Sequence, residues 1–209
     1  MDVKSEDFML GIQAYEKNEG RDSMYRVATF LLDQWWGETS KMVDALSVLL
    51  LTWNNAFHRY GMFNQDAVEE YLRTHWNAIK AFHSRDIRSL DLNDQGTITN
   101  LFMGMLKATQ IKAKNGEIKR SPVGVAKALH LLAPNFFPIW DQSIAWKYEC
   151  VYGSKPAEVY FRFCKEIQRI AEQLGKQEQI KDFLQKNPEK TLVKRIDEFN
   201  YSKFSKHWI

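Results

Sequence analysis

Apolar residues recur along this chain mostly at spacings of three and four, and sustained apolar–polar alternation is absent. That periodicity predicts an all-α fold. Helices are expected over residues 5–18, 23–35, 40–59, 65–83, 97–113, 122–132, 142–150, 156–174, 177–186 and 189–206. Several of these runs carry punctuation with a mechanism. Asn64 precedes one run as an N-cap, and Asp141 stands at the start of another. Ser121-Pro122 places a capping hydroxyl and then a proline where its missing N–H costs nothing. No internal repeat, low-complexity tract or Gly/Pro/Ser-rich linker interrupts the pattern. A single compact helical domain over 1–209 is therefore expected, built of two lobes with the active region between them.

With 209 residues, 44% of them hydrophobic, the chain can bury a sizeable core, which excludes disordered and fibrous classes. The opening MDVKSEDFML is acidic and has no long apolar stretch, so no secretory signal is expected. Runs such as 48–51 fall far short of the roughly 18 apolar residues of a membrane span, so a cytoplasmic protein without a membrane partner is expected. Cys150 and Cys164 fit neither a zinc site nor a disulfide framework and read as buried free thiols. The histidines, among them His58, His75, His83 and His130, form no metal-ligand grouping, and no metal or other cofactor is expected.

The net charge of +3 hides an asymmetry. Residues 1–106 carry ten basic and fifteen acidic side chains, whereas 107–209 carry nineteen and eleven. The second half is thus the place to look for contact with an anion. Within it, residues 107–149 divide sharply. Up to Arg120 the segment is basic, with Lys107, Lys112, Lys114, Lys119 and Arg120 against Glu117 alone. From Ser121 to Trp140 the one formal charge is Lys127, flanked by Val123, Val125, Ala126, Ala128, Leu129 and Leu131. Partial desolvation of that ammonium would lower its pKa and leave more nucleophilic amine. A carboxylate at the next helix start, Asp141, would be held ionised by the helix N–H groups and suited to stabilising a developing cation. The bland alternatives are a lysine that snorkels to water and an aspartate that only caps.

The stretch Ser121-Pro122-Val123-Gly124-Val125-Ala126-Lys127-Ala128, followed by an apolar helix and Pro138-Ile139-Trp140-Asp141, resembles the helix–hairpin–helix DNA glycosylase superfamily, in particular its lysine-bearing 8-oxoguanine type. There a hairpin opens a helix carrying a catalytic lysine, and a loop leads to a catalytic aspartate; Lys127 and Asp141 are the matching positions. A second match is Leu50-Leu51-Thr52-Trp53-Asn54-Asn55-Ala56-Phe57-His58-Arg59-Tyr60-Gly61, similar to the segment whose asparagine and arginine fill the gap left by a flipped base. Asn54 and Arg59 hold that spacing. The chain departs from the family in having Val123-Gly124-Val125 where Gly-Val-Gly is usual, and in an interval of 14 residues from lysine to aspartate.

The resemblance implies a helix–hairpin–helix-like element over about 107–149 and a monomeric enzyme on double-stranded DNA. Such an enzyme flips out and excises a damaged or modified base, an 8-oxoguanine-like purine or a bulky modified base as in phage DNA. Lys127 would attack the anomeric carbon and give AP lyase activity through a Schiff base, while Asp141 stabilises charge. Phosphate contact falls to Lys119, Arg120, Ser121 and Gly124. Base contact falls to Leu131 and Ser143, with Trp140 adjoining Asp141 and Phe204 and Trp208 as stacking surface; Phe199 and His207 are further candidates. The role would be repair or antiviral defence. The competing readings are a non-catalytic helical DNA-binding protein and a helical adaptor whose basic run is an ordinary solvated face.

Overall fold

The computed structural model describes residues 3–19, 22–54, 57 and 61–209. The chain is mostly helical: α1 Ser5–Asn18, α2 Asp22–Gln34, α3 Thr39–Trp53, α4 Gln65–His83, α5 Asp94–Ala108, α6 Pro122–Leu132, α7 Gln142–Lys147, α8 Pro156–Leu174, α9 Glu178–Lys186 and α10 Leu192–Asn200. A short 3-10 turn over Ile87–Ser89 precedes α5, and a π-helical turn over Tyr201–Ser205 follows α10. Among the described residues no helix is long and apolar enough to cross a membrane. Cys150 and Cys164 are buried free thiols.

Where a cap or a proline fixes the start, the helix begins where the sequence says. The Asn64 side chain accepts from the Ala67 N–H at α4, Ser121 accepts from the Gly124 N–H at α6, and Asp141 accepts from the Ile144 N–H at α7. Each satisfies one of the orphan donors of a first turn. Pro156 opens α8, whose buried Tyr160, Phe163, Cys164, Ile167, Ile170, Ala171 and Leu174 recur at three and four and form one apolar face.

The helix expected over 97–113 stops at Ala108 instead. The Thr109 hydroxyl turns back to the Met105 carbonyl, and the chain then forms a two-stranded antiparallel ribbon, β1 Ile111–Lys112 and β2 Ile118–Lys119. Ile111 pairs with Lys119 and Lys112 with Ile118. Gly116 closes the ribbon at φ +83, a left-handed conformation open to glycine at little cost, and its N–H reaches the Ala113 carbonyl. Strands of two residues are too short to register as alternation.

The core centres on α6. Every residue from Gly124 to Leu132 is buried, against α2, α3 and α5, so the helix is apolar all round except for Lys127 and His130. His130 Nδ1 lies 2.7 Å from the Phe137 carbonyl oxygen, which can only accept, so Nδ1 carries the hydrogen and Nε2 accepts from the Tyr25 hydroxyl at 3.0 Å. Burial pushes its pKa down to about 3, with the Lys194 charge acting the same way and the Phe137 hydrogen bond opposing.

The last helix breaks the usual rule for charged side chains. All nine residues of α10 are buried, including Lys194, Arg195, Asp197 and Glu198. These groups survive there because they are paired. Lys190 meets Asp22 at 2.9 Å and Glu198 at 2.7 Å; Lys194 meets Asp197 at 2.9 Å; Arg195 meets Glu198 at 3.0 Å and Glu16 at 2.7 Å. Two of these pairs, Lys190 with Asp22 and Arg195 with Glu16, join the basic second half to the acidic first.

Two outcomes follow from these buried groups. Glu198→Ala removes the fully buried carboxylate that Lys190 and Arg195 share, leaving Asp22 to the first and the half-exposed Glu16 and Glu189 to the second, and should cost about 3 kcal/mol in denaturant unfolding; a loss below about 1 kcal/mol would contradict the pairing. The folded chain keeps His130 neutral while the unfolded chain protonates it below its ordinary 6.5. This contribution to stability is therefore complete above pH 6.5 and erodes as pH falls towards 3. Imidazole NMR at pH 5 should show the neutral Nδ1–H tautomer, and titration near 6.5 would contradict it.

Candidate functional site

A cavity of about 350 Å³ opens between the ends of five helices. Tyr15 and Glu19 reach it from α1 and its following turn, Trp53 from the last residue of α3, and Lys127 from the second turn of α6. Ile139 and Asp141 come from the loop before α7, Asp197 from α10, and Tyr201 and Lys206 from the C-terminal turn. The two residues singled out by charge pattern, Lys127 and Asp141, thus line one cavity.

Lys127 does not snorkel to bulk water. It is 9% exposed, and its Nζ donates to the Trp53 carbonyl at 2.6 Å. That oxygen is one of the carbonyls left over in the last turn of α3, where the helix dipole also favours a cation. A neutral amine can still donate to it, more weakly than an ammonium, so the contact positions the nitrogen in either protonation state. Asp141 is held on both oxygens. Oδ1 accepts from the Ile144 N–H at 2.7 Å and Oδ2 from the Ser205 hydroxyl at 2.7 Å. Its capping role and its place on the cavity are therefore compatible: one oxygen serves the helix and the other ties the C-terminal turn to α7.

The rest of the wall is organised around a second lysine. Lys194 Nζ lies 4.6 Å from the Tyr15 ring centroid, 5.1 Å from Tyr25 and 5.2 Å from Trp53. Burial alone would lower its pKa, but Asp197, Tyr15 and Glu198 hold it well above the ordinary lysine value. Tyr25 stacks on Trp53 at 5.9 Å and 16°. One buried ammonium thereby fixes two aromatic walls of the cavity, Tyr15 and Trp53, and its carboxylate floor, Asp197. Burial raises the Asp197 carboxyl, Lys194 pulls it back, and the Asp141 charge raises it further, so the two carboxylates sense each other across the cavity. Asp197 Oδ2 is taken by Lys194; Oδ1 has no hydrogen-bond partner among the described residues. In the π-helical turn the Lys206 N–H reaches back five residues to the Tyr201 carbonyl at 2.9 Å, so both side chains line the cavity.

Other expected site residues stand elsewhere. Asn54, Ser121 and Gly124 form a buried joint between the end of α3 and the start of α6. Asn54 Nδ2 donates to Ser121 Oγ at 2.8 Å, and a Cβ on Gly124 would come within 2.6 Å of Asn54 Nδ2 and 3.0 Å of the Phe57 ring. Gly124 is thus required by close packing, and its N–H is spent on Ser121 at 3.0 Å, so all three are engaged in this joint. Arg59 and His58 lie outside the described residues. Lys119 is ion-paired with Glu117, and Arg120 is exposed.

The expected base-contacting residues do not line this cavity. Leu131 lines a separate one of about 160 Å³ with Tyr25, Trp36 and His83. Trp140 is fully buried among Tyr152, Tyr160 and Phe163. Ser143 is exposed on α7. Phe204 packs against Tyr148 and the core residue Phe199, and Trp208 lies edge-on behind Tyr201, while His207 is exposed. The flat walls are instead Tyr15, Trp53 and Tyr201, and the polar groups are Glu19, Asp197 and Lys206. Asp197 was hidden because Leu192, Val193, Ile196 and Phe199 make α10 read as an ordinary amphipathic helix with a solvated charged face. Its one signal is self-complementary charge at three and four, Lys194 with Asp197 and Glu198. Among the described residues no three His, Cys, Asp or Glu side chains converge as metal ligands.

Comparison with protein-family models, with curated proteins and with solved structures returns no match.

The double use of Asp141 has a measurable consequence. Asp141→Asn keeps a capping oxygen and should leave the unfolding midpoint nearly unchanged, whereas Asp141→Ala should cost about 1 kcal/mol. Equal losses in both variants would show that the cap is not what this side chain contributes to stability.

Proposed function

We propose that this chain is a DNA glycosylase that takes a flipped, damaged or modified base into the cavity between α1, α3, α6 and α10. The single observation carrying the proposal is that Lys127 and Asp141, the matching positions of the lysine-bearing glycosylases, line the same cavity of about 350 Å³. That size is in the range of small-molecule sites, roughly 300–1,000 Å³. Tyr15, Trp53 and Tyr201 line it together with several polar groups, the residue types that hold a base by stacking and edge hydrogen bonds. In this reading the segment over about 107–149, comprising the ribbon, α6 and the loop into α7, stands in place of the family's helix–hairpin–helix element, and the two lobes meet at the cavity.

The chemistry assigns one role to each group. The Lys127 amine attacks the anomeric carbon; the glycosidic C–N bond breaks with its electron pair going to the leaving base, which takes up a proton as it departs. Asp141 stabilises the cationic sugar and accepts a proton from the attacking nitrogen. The C–O4′ bond then breaks, O4′ takes up a proton and the covalent amine becomes an iminium; loss of the C2′ proton to water expels the 3′-phosphate and cleaves the strand, and hydrolysis of the iminium frees Lys127. Asp197 Oδ1 accepts an N–H from the base edge, and Tyr15, Trp53 and Tyr201 supply its flat neighbours. The substrate is an oxidised purine or a bulkier modified base, met by a monomer on cytoplasmic DNA in repair or defence. The second reading, a helical DNA-binding protein without chemistry, draws on the exposed Lys112, Lys114 and Arg120 of the ribbon alone.

The test is base release from duplexes carrying 8-oxoguanine, other oxidised purines, or hydroxymethylated and glucosylated pyrimidines. Wild type should release one of them and nick the strand. Lys127→Gln and Asp141→Asn should each lose about 10²–10⁴-fold. Release that survives Lys127→Gln but not Asp141→Asn would make the enzyme a monofunctional hydrolase. Duplex binding with no release from any substrate would overturn the glycosylase in favour of the binding protein.

A further inference from the structure

The ribbon between α5 and α6 has two unlike faces. Its register sets Ile111 opposite Lys119 and Lys112 opposite Ile118. Directly opposed residues share a face of the ribbon. The inner face holds Ile111, 4% exposed and in reach of Gly61, together with Lys119, which is ion-paired with Glu117. The outer face holds Lys112 and Ile118, with Arg120 two residues further on and Lys114 at the turn, all exposed. Lys112, Lys114 and Arg120 make no ion pair among the described residues, unlike Lys190, Lys194 and Arg195, whose charges are consumed inside the fold. On this outer face stands Ile118, 45% exposed.

We infer that the outer face of this ribbon is a duplex-DNA contact in which Lys112, Lys114 and Arg120 straddle the minor-groove phosphates and Ile118 presses between sugar and base edges. The occupant follows from charge and shape. Three unpaired cations call for a polyanion, and a two-stranded ribbon is narrow enough to follow a groove. An apolar side chain projecting from a cationic frame is the device by which groove-binding proteins loosen a base step. Its position also suits the task, because β2 leads within two residues into Ser121 and the first turn of α6, which carries Lys127 towards the cavity. The inference takes DNA as the partner from the glycosylase reading, but it concerns engagement of the duplex and not base release.

The experiment is fluorescence anisotropy of the full chain on a 20-base-pair duplex with a central tetrahydrofuran abasic site, titrated at several salt concentrations. A 2-aminopurine beside the site reports unstacking. Lys112→Gln/Lys114→Gln/Arg120→Gln should bind more than tenfold more weakly. Its log K against log salt slope should be shallower by about two to three, since each phosphate contact contributes about 0.9. Ile118→Ser should keep the salt slope and lose the 2-aminopurine signal. Both variants should retain wild-type circular dichroism, because the substituted side chains cover no core. Wild-type slope and affinity in the triple variant would overturn the inference, as would wild type with no salt-dependent binding. Failure of the glycosylase reading is read separately, as absence of base release from a duplex that is still bound.

Discussion

A lysine ammonium with no exposed surface has to be compensated on every side, and that requirement at Lys194 sets much of this molecule's arrangement. Removing such an ion from water costs at least several kcal/mol. No single partner matches that. Asp197 and Glu198 supply opposite charge one turn along the same helix, and the faces of Tyr15, Tyr25 and Trp53 supply three cation–π contacts, each worth about 2 kcal/mol when desolvated. Meeting the requirement draws α1, α2, α3 and α10 to one point. The carbonyl of the same Trp53 receives Lys127, so the placement of the proposed nucleophile is inherited from the compensation of a different lysine.

The charge asymmetry of the sequence acquires two meanings in this light. Part of the basic second half is neutralised inside the fold: Lys190 pairs with Asp22 and Arg195 with Glu16 of the acidic first half, and Lys194 pairs with Asp197 and Glu198 of its own helix. Part of it, on the ribbon, faces solvent unpaired. Composition adds the two together, and burial separates them. The face available to a polyanion is thus narrower than the net charge of the second half implies, and it lies next to the helix that carries Lys127.

The helical scaffold was legible where local chemistry decides it. Expected and observed bounds coincide for α4, α6 and α8, because Asn64, Ser121-Pro122 and Pro156 mark the starts in ways that do not depend on distant contacts. The ribbon was illegible because two residues per strand make no period and its pairing rests on a turn at Gly116. Lys127 and Asp141 were legible because each stands alone in an apolar stretch. The cavity walls were not: Trp140 adjoins Asp141 in sequence yet is buried among Tyr152, Tyr160 and Phe163, while Asp197 arrives from 56 residues away on a helix whose charged face looks solvated. Which aromatic or acid reaches a cavity is decided by helix packing, and packing at that distance leaves no trace in spacing.

The central claim is that Lys127 is the group that bonds to the sugar. Its most direct test is peptide mapping by mass spectrometry after borohydride reduction of the full chain on a duplex from which it releases a base. The account predicts one adduct, on the peptide containing Lys127, with none on the peptides of Lys194 or Lys206. An adduct on either of those lysines, or efficient base release and strand cleavage with no adduct on Lys127, would contradict it.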